Sequence, residues 1–255
     1  MTILSPLAAV LTPADVRENE AKGGTAAIFA DIRATQGGNN VNYIWRHLAT
    51  IPGALEIAWG RVKTRNGEIR AFGESIWDSA GRLSEANGIA PIATATLPKE
   101  GRAVLDSYAR GNRWNLAALT LLLDGGLPPA PIGQSGLTPT SGHIPPLPAF
   151  DDLPNAIKDA IDSLANAGPA ANTAIRPSLW VHLALWPEFL LALEPRLAQV
   201  LRSQAFRQTH AELLSICRGS GSACNGMPET AIGSLNRFRR RIVEMTLLGA
   251  AFSSV

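Results

Sequence analysis

The chain contains itself twice. The segment VNYIWRHLATIPGALEIAW (Val41 to Trp59) returns as IRPSLWVHLALWPEFLLAL (Ile175 to Leu193). At one constant spacing of 135 residues Trp45 matches Trp180, His47 matches His182, Leu48 matches Leu183, Ala49 matches Ala184, Pro52 matches Pro187 and Leu55 matches Leu190. That is six identities in eleven positions, two of them tryptophan, and internal repetition of this kind governs every later reading of the fold. Shifted slightly, AAIFADI (26–32) resembles NAIKDAI (155–161), and WNLAALTLLL (114–123) resembles RRIVEMTLLG (240–249). Between the copies, residues 125–150 hold seven of the chain's 18 prolines. Such density forbids a regular helix or a central strand, so this stretch reads as an extended linker. It is long enough to let the second copy pack beside the first with twofold pseudosymmetry, and its length suggests that it runs along a surface. The expected division is 1–124, first repeat; 125–152, Pro-rich linker; 153–255, second repeat.

Within each copy the apolar period is helical. Val41, Ile44, Trp45 and Leu48 fall at i, i+3, i+4 and i+7, one stripe of a helix. Pro52 and Pro187 end that helix and open the next. Asp15 to Arg33, Ile69 to Leu83, Glu100 to Ala109 and Trp114 to Leu123 read as further helices. So do Leu190 to Ala205, Arg207 to Cys217 and Ile232 to Leu248. The best alternating stretch, Ile89 to Thr96, is a weak strand pattern. The expected fold is all-α: a pseudo-dimer of two tandem-repeated helical bundles with a cleft between the halves, where small-molecule sites are common.

Composition removes whole classes of function. In 255 residues, 46% are hydrophobic and 17% charged, which excludes charge-driven disorder. A net charge of +2 creates no strong field, and the basic run of Arg237, Arg239, Arg240 and Arg241 is short, so nucleic acid is not an expected ligand. Cys217 and Cys224 form no Cys-x-x-Cys; the simplest reading is two thiols, with a local disulfide as the alternative. His47, His143, His182 and His210 complete no zinc set, so no metal is expected. There is no stretch of 18 apolar residues, which argues against a membrane span, and the N-terminus lacks a basic start, which argues against a secretion signal. A cytoplasmic protein without cofactor, monomer or homodimer, is the expectation; a pseudo-dimer already satisfies one interface internally.

The polar residues near the duplicated helix are the site candidates. Tyr43 and His47, like Ser178 and His182, are i, i+4 neighbours on one face. Functionally, the two histidines meet across the cleft and Ser178 hydrogen-bonds His182; otherwise each histidine is a buried packing residue with one hydrogen bond. Trp45 and Trp180 are core. Asn112 suits a helix cap. Asn115, inside an apolar run, has no such reason to be there: it either lines a site, holding a water or a carboxylate, or is a satisfied core amide. No Asp or Glu occurs from Ser163 to Pro187, and the chain has no nucleophile elbow, phosphate loop or dinucleotide fingerprint.

Taken together, the duplicated VNYIWRHLA…P…L…W pattern, the YxRGNxxNL segment at 108–116 and the closing MTLLGAAF resemble the group I, non-stereospecific 2-haloacid dehalogenase family across nearly the whole chain. The resemblance implies two helical bundles with the substrate between them. It also implies a water, activated by an aspartate of the second motif helix, that displaces halide from carbon 2 with inversion, without covalent ester, metal or organic cofactor. Carried over, the serine before that aspartate is Ser178, the water-positioning asparagine is Asn115 (or Asn112 after a slip), and Tyr43 and Ile44 form the first-repeat wall. The aspartate position itself is Leu179, and leucine accepts no proton. Three readings follow. In the first the base has moved, with His182 or His47 activating water, since a neutral imidazole is a competent base at pH 7. In the second the cleft performs different chemistry on a small carboxylate. In the third it only binds a ligand. Ser178, His182 and Asn115 are the catalytic candidates, and Tyr43, Ile44, His47, Asn112 and Leu179 the substrate-binding ones. Arg46 and Arg176 are candidates for holding the substrate carboxylate.

Overall fold

The computed structural model describes residues 13–38, 40–129, 144–219 and 221–253. His143, the linker residues 130–143 and the first twelve residues, on which the reading of the N-terminus rests, lie outside them. Ten α-helices follow one another among the described residues: α1 (Gly23–Gln36), α2 (Tyr43–Leu48), α3 (Ala54–Lys63), α4 (Asn66–Ala86), α5 (Lys99–Asp124), α6 (Asn155–Ala167), α7 (Ser178–Leu183), α8 (Pro187–Arg202), α9 (Gln204–Ile216) and α10 (Glu229–Ser253). Single 3₁₀ turns at Phe150–Asp152 and Ala171–Thr173 complete the list, and no strand occurs among the described residues. The protein is all-α.

Local chemistry explains the boundaries. Asn42 caps α2 by accepting from the Ile44 N–H at 3.1 Å, and Pro187 opens α8 at a first-turn position that needs no N–H donor. Ser203 separates α8 from α9 because its backbone is extended and its hydroxyl accepts from the Phe206 N–H at 3.0 Å. The residues Asp15 to Lys22, expected to be helical, are not: α1 begins only at Gly23. Their polar groups are spent on tertiary ties instead. Val16 N–H donates to the Arg46 carbonyl at 3.1 Å, Asp15 faces Arg46 at 3.4 Å, and Glu18 takes the Val41 N–H at 2.7 Å. Ile89 to Thr96 forms no strand; its Ile92 N–H is tied to the Ala251 carbonyl at 3.0 Å. The two helices expected at Glu100 to Ala109 and Trp114 to Leu123 are one, α5, and Asn112 is therefore mid-helix and caps nothing. Gly111 costs such a helix about 1 kcal/mol, which packing against α4 and α10 offsets.

The motif helices occupy matching positions, Tyr43–Leu48 and Ser178–Leu183. The long helices α5 and α10 pack along one another at the centre of the molecule. Each motif helix docks on the long helix of the other half, α2 on α10 and α7 on α5. Trp45 sits edge-on to Trp59 (centroids 5.6 Å apart) and tilted against Trp114 (6.1 Å), and Trp180 is fully buried. The basic run forms no exposed patch: Arg239 pairs with Asp124 at 2.6 Å, Arg241 is buried against Glu244 at 2.5 Å, Arg240 donates to the Pro169 carbonyl and Arg237 to the Ser234 hydroxyl. Cys217 and Cys224 are free thiols, and burial pushes the Cys217 thiol up to about 12.

Candidate active site

Where α2, α5, α7 and α10 converge, the structure holds a cleft with two compartments. The larger, about 240 Å³, is walled by Tyr43 and Arg46 of α2, Tyr108 of α5, and Ser178 and His182 of α7. The linker segment Ile144 to Leu147 closes one side of it, and Glu18 lines it from the N-terminal segment. The smaller, about 40 Å³, is lined by Asn112, Leu179, Phe238, Arg241 and Met245. Asn42, Tyr43, Tyr108 and Ser178 border both compartments, so they adjoin.

Five of the eight candidates therefore come together: Tyr43, Ser178 and His182 around the larger compartment, Asn112 and Leu179 around the smaller. Ile44 does not join them; it is buried in the core. Asn115 also lies off the cleft. Its carbonyl oxygen accepts the Trp45 indole N–H at 2.9 Å and its amide donates to the Gly111 carbonyl at 2.7 Å. Its presence in an apolar run is explained by a tryptophan that needs an acceptor.

The histidines do not meet across the cleft, and Ser178 makes no hydrogen bond to His182. Each imidazole instead spans the two halves. His47 contacts the Ala14 carbonyl through Nδ1 at 2.7 Å and the Ser234 hydroxyl on α10 through Nε2 at 3.0 Å. His182 contacts the Pro145 carbonyl through Nε2 at 2.8 Å and the Tyr108 hydroxyl on α5 through Nδ1 at 3.3 Å. The two contacts use opposite ring nitrogens, Nε2 of His47 toward Ser234 and Nδ1 of His182 toward Tyr108. Carbonyls only accept, which places the proton on Nδ1 of His47 and on Nε2 of His182. Nδ1 of His182 is then left as the acceptor of the Tyr108 O–H. Burial lowers the pKa of His182, with the Pro145 carbonyl opposing, and burial raises both Tyr43 and Tyr108. Imidazole and phenols are all neutral at pH 7.

Sequence reasoning missed three contributors. Glu18 brings a carboxylate to the cleft from outside the acid-free stretch Ser163 to Pro187. It lies 160 residues before Ser178, and Val41 N–H and Arg33 (2.5 Å) hold its two oxygens. Tyr108 carried the YxRGNxxNL pattern without being weighed for a role. Arg241 was counted only as part of a basic run. Its Nη1 donates to Glu244 at 2.5 Å, and its Nη2 to the Ala165 and Ala170 carbonyls at 2.8 and 2.9 Å. Among the described residues no group of His, Cys, Asp and Glu is arranged to hold a metal, and no helix is long and apolar enough to cross a membrane.

The fold is that of solved 2-haloacid dehalogenases. A D-2-haloacid dehalogenase mutant superposes with a TM-score of 0.74 at 15% identity, covering 93% of each chain. A complex of such a mutant with D-2-CPA gives 0.73 at 16%, covering 98% of this chain and 97% of that one. The D-2-haloacid dehalogenase with L-LA gives 0.71 at 16%, covering 98% of both. No protein-family model and no curated protein matches the sequence.

Proposed function

We propose that the protein is a divergent hydrolase of the 2-haloacid dehalogenase type that takes a small 2-substituted carboxylate into the cleft between its two repeats. The repeats are read as 1–124 and 153–255, joined by the Pro-rich linker 125–152, of which Ile144 to Leu147 line the larger compartment. Similar folds solved with D-2-CPA and L-LA support a small ligand of this kind, and the group I resemblance extends the expectation to both enantiomers. The water is activated by His182 acting through Tyr108: the water oxygen bonds to carbon 2, the carbon–halogen bond breaks, and halide leaves with the electron pair. The water proton passes to the Tyr108 oxygen as the phenolic proton passes to Nδ1 of His182. The products are the inverted 2-hydroxy acid, halide and a proton. One observation carries this reading: the Pro145 carbonyl fixes the His182 tautomer, which turns the basic nitrogen to a phenol that borders both compartments. Such base assistance is worth about 10² to 10⁴ in rate. Asn115, bound to Trp45, has no part in this scheme. No metal or organic cofactor enters the scheme, and a cytoplasmic monomer or homodimer is its natural setting.

Halide release from D- and L-2-chloropropionate is the test. Activity that falls by about 10² or more in both Tyr108→Phe and His182→Ala assigns the base. Activity kept in both but lost in Glu18→Gln transfers the role to Glu18, which lines the same compartment. The second reading, ligand binding without turnover, is favoured by Leu179 at the position where the resemblance places the aspartate. Thermal stabilisation by carboxylates with no halide released from either enantiomer would establish it.

A further inference from the structure

The repeat breaks its own symmetry at one buried position beside the cleft. At the spacing that matches 114–123 with 240–249, the counterpart of Asn115 is Arg241. In the first repeat Asn115 accepts the indole N–H of Trp45. In the second, an arginine has only donors to offer, and the indole nitrogen of Trp180, fully buried, has no partner among the described residues. An orphaned buried donor is destabilising, so packing alone does not account for arginine here. Arg241 is 2% exposed and lines the smaller compartment. Glu244 and two carbonyls hold its terminal nitrogens, yet its Nε has no partner among the described residues. Asn112, 5% exposed, lines the same compartment, and its side-chain amide makes no hydrogen bond to another described residue. Two buried polar side chains with unspent hydrogen-bonding capacity thus line one chamber, with Ser178 beside them.

We propose that Arg241 and Asn112 seat the carboxylate of the ligand, with its carbon 2 substituents lying in the larger compartment beside Tyr108 and His182; this rests on reading the cleft as a small-carboxylate site. Volume decides the orientation. A water needs about 10–15 Å³ of such space, so 40 Å³ admits about three non-hydrogen atoms, the size of a carboxylate group, and not a whole 2-substituted propionate. The rest of the ligand belongs in the 240 Å³ compartment. Glu244 already neutralises Arg241, so the anion also needs the surrounding field. Burial and Asp15 hold the Tyr43 phenol neutral at the border of the two compartments, while Arg46, Arg176 and Arg237 oppose them and are the cations that an anion there would meet.

The experiment is a calorimetric titration with propionate and, as a neutral isostere, propionamide, on the wild type, Asn112→Asp and Arg241→Met, with folding checked by circular dichroism. The wild type is expected to bind propionate and to bind propionamide weakly. Asn112→Asp is expected to weaken propionate by at least about tenfold through like charge while leaving propionamide within about twofold. Asn112 has no described partner to lose, so this variant keeps the test decisive if Arg241→Met, which strands Glu244, does not fold. Propionate bound equally by wild type and Asn112→Asp overturns the carboxylate seat and leaves the cleft reading standing. A wild type that binds no propionate overturns both.

Discussion

Asn112 and Asn115 stand three residues apart on α5 and do different work. Asn115 spends its amide on Trp45 and the backbone, while Asn112 lines the cleft and its amide has no hydrogen-bond partner among the described residues. Asn115→Leu leaves the Trp45 indole without an acceptor, and a cost of about 1–3 kcal/mol is expected for that orphaned donor. Urea denaturation measures it; Asn112→Leu is expected to lose much less. The reverse ranking would exchange their roles. Buried histidines also predict a pH response. Burial depresses both His182 and His210, against the Pro145 and Arg240 carbonyls respectively. The unfolded chain therefore takes up protons below the ordinary histidine value of about 6.5 before the folded one does, and stability falls as pH drops through that range. The midpoint of thermal unfolding is expected to decline from pH 7.5 to 5, and the decline to shrink in His210→Gln, which keeps a donor for the Arg240 carbonyl. An unchanged slope in that variant would show that His210 does not contribute.

Among the elements, the end of α5 is the most constrained. Gly125 closes it in the left-handed region (φ 71°), and its N–H returns to the Leu121 carbonyl at 3.0 Å. A Cβ here would lie 2.5 Å from the Ser222 carbonyl oxygen, so the loop after α9 is pressed directly against the cap. Asp124 secures the same corner by accepting from Arg239 and from the Gly219 N–H at 2.9 Å. Gly125→Ala is expected to cost at least about 1–2 kcal/mol from backbone conformation alone, more with the displaced loop, as a lowered unfolding midpoint. Stability equal to wild type would mean that this loop is not held as described. Legibility in the sequence also divides along elements. Helices with a sustained apolar stripe, such as α2, were evident because a helical period needs no partner to be recognised. The unwound Asp15 to Lys22 was not, since its polar groups are satisfied by α2 and Arg33, contacts invisible to local pattern.

For the molecule as a whole, helices from before and after the Pro-rich segment pack into one another. α5 packs on α10, and each motif helix rests on the other half's long helix. His47 and His182 repeat that exchange as hydrogen bonds. One buried cluster runs from Phe29 to Phe252 through both repeats. Unfolding is therefore expected to be a single transition, with helix content and tryptophan fluorescence coincident. Two resolved transitions would show that the repeats hold themselves together independently. The same exchange explains why the site was only partly readable. Tyr43, Ser178, His182 and Leu179, which line the cleft, were singled out because the pattern of their two short helices recurs in the sequence. Glu18 and Arg241 were missed because nothing local marks them.

The sequence alone determined that this protein is helical, and its repeated pattern marked the two short helices that line the candidate site. Periodicity and repetition are properties of neighbouring or equally spaced residues, and they survive without coordinates. Only the tertiary structure decided which asparagine faces the cleft, that the paired histidines bridge the halves without touching, and that a buried arginine from the last helix reaches the chamber beside Leu179. Those outcomes depend on which donors find acceptors far along the chain, from 33 residues away for His47 and Ala14 to 187 for His47 and Ser234, and a buried polar group commits to its partner only when the chain has closed around it.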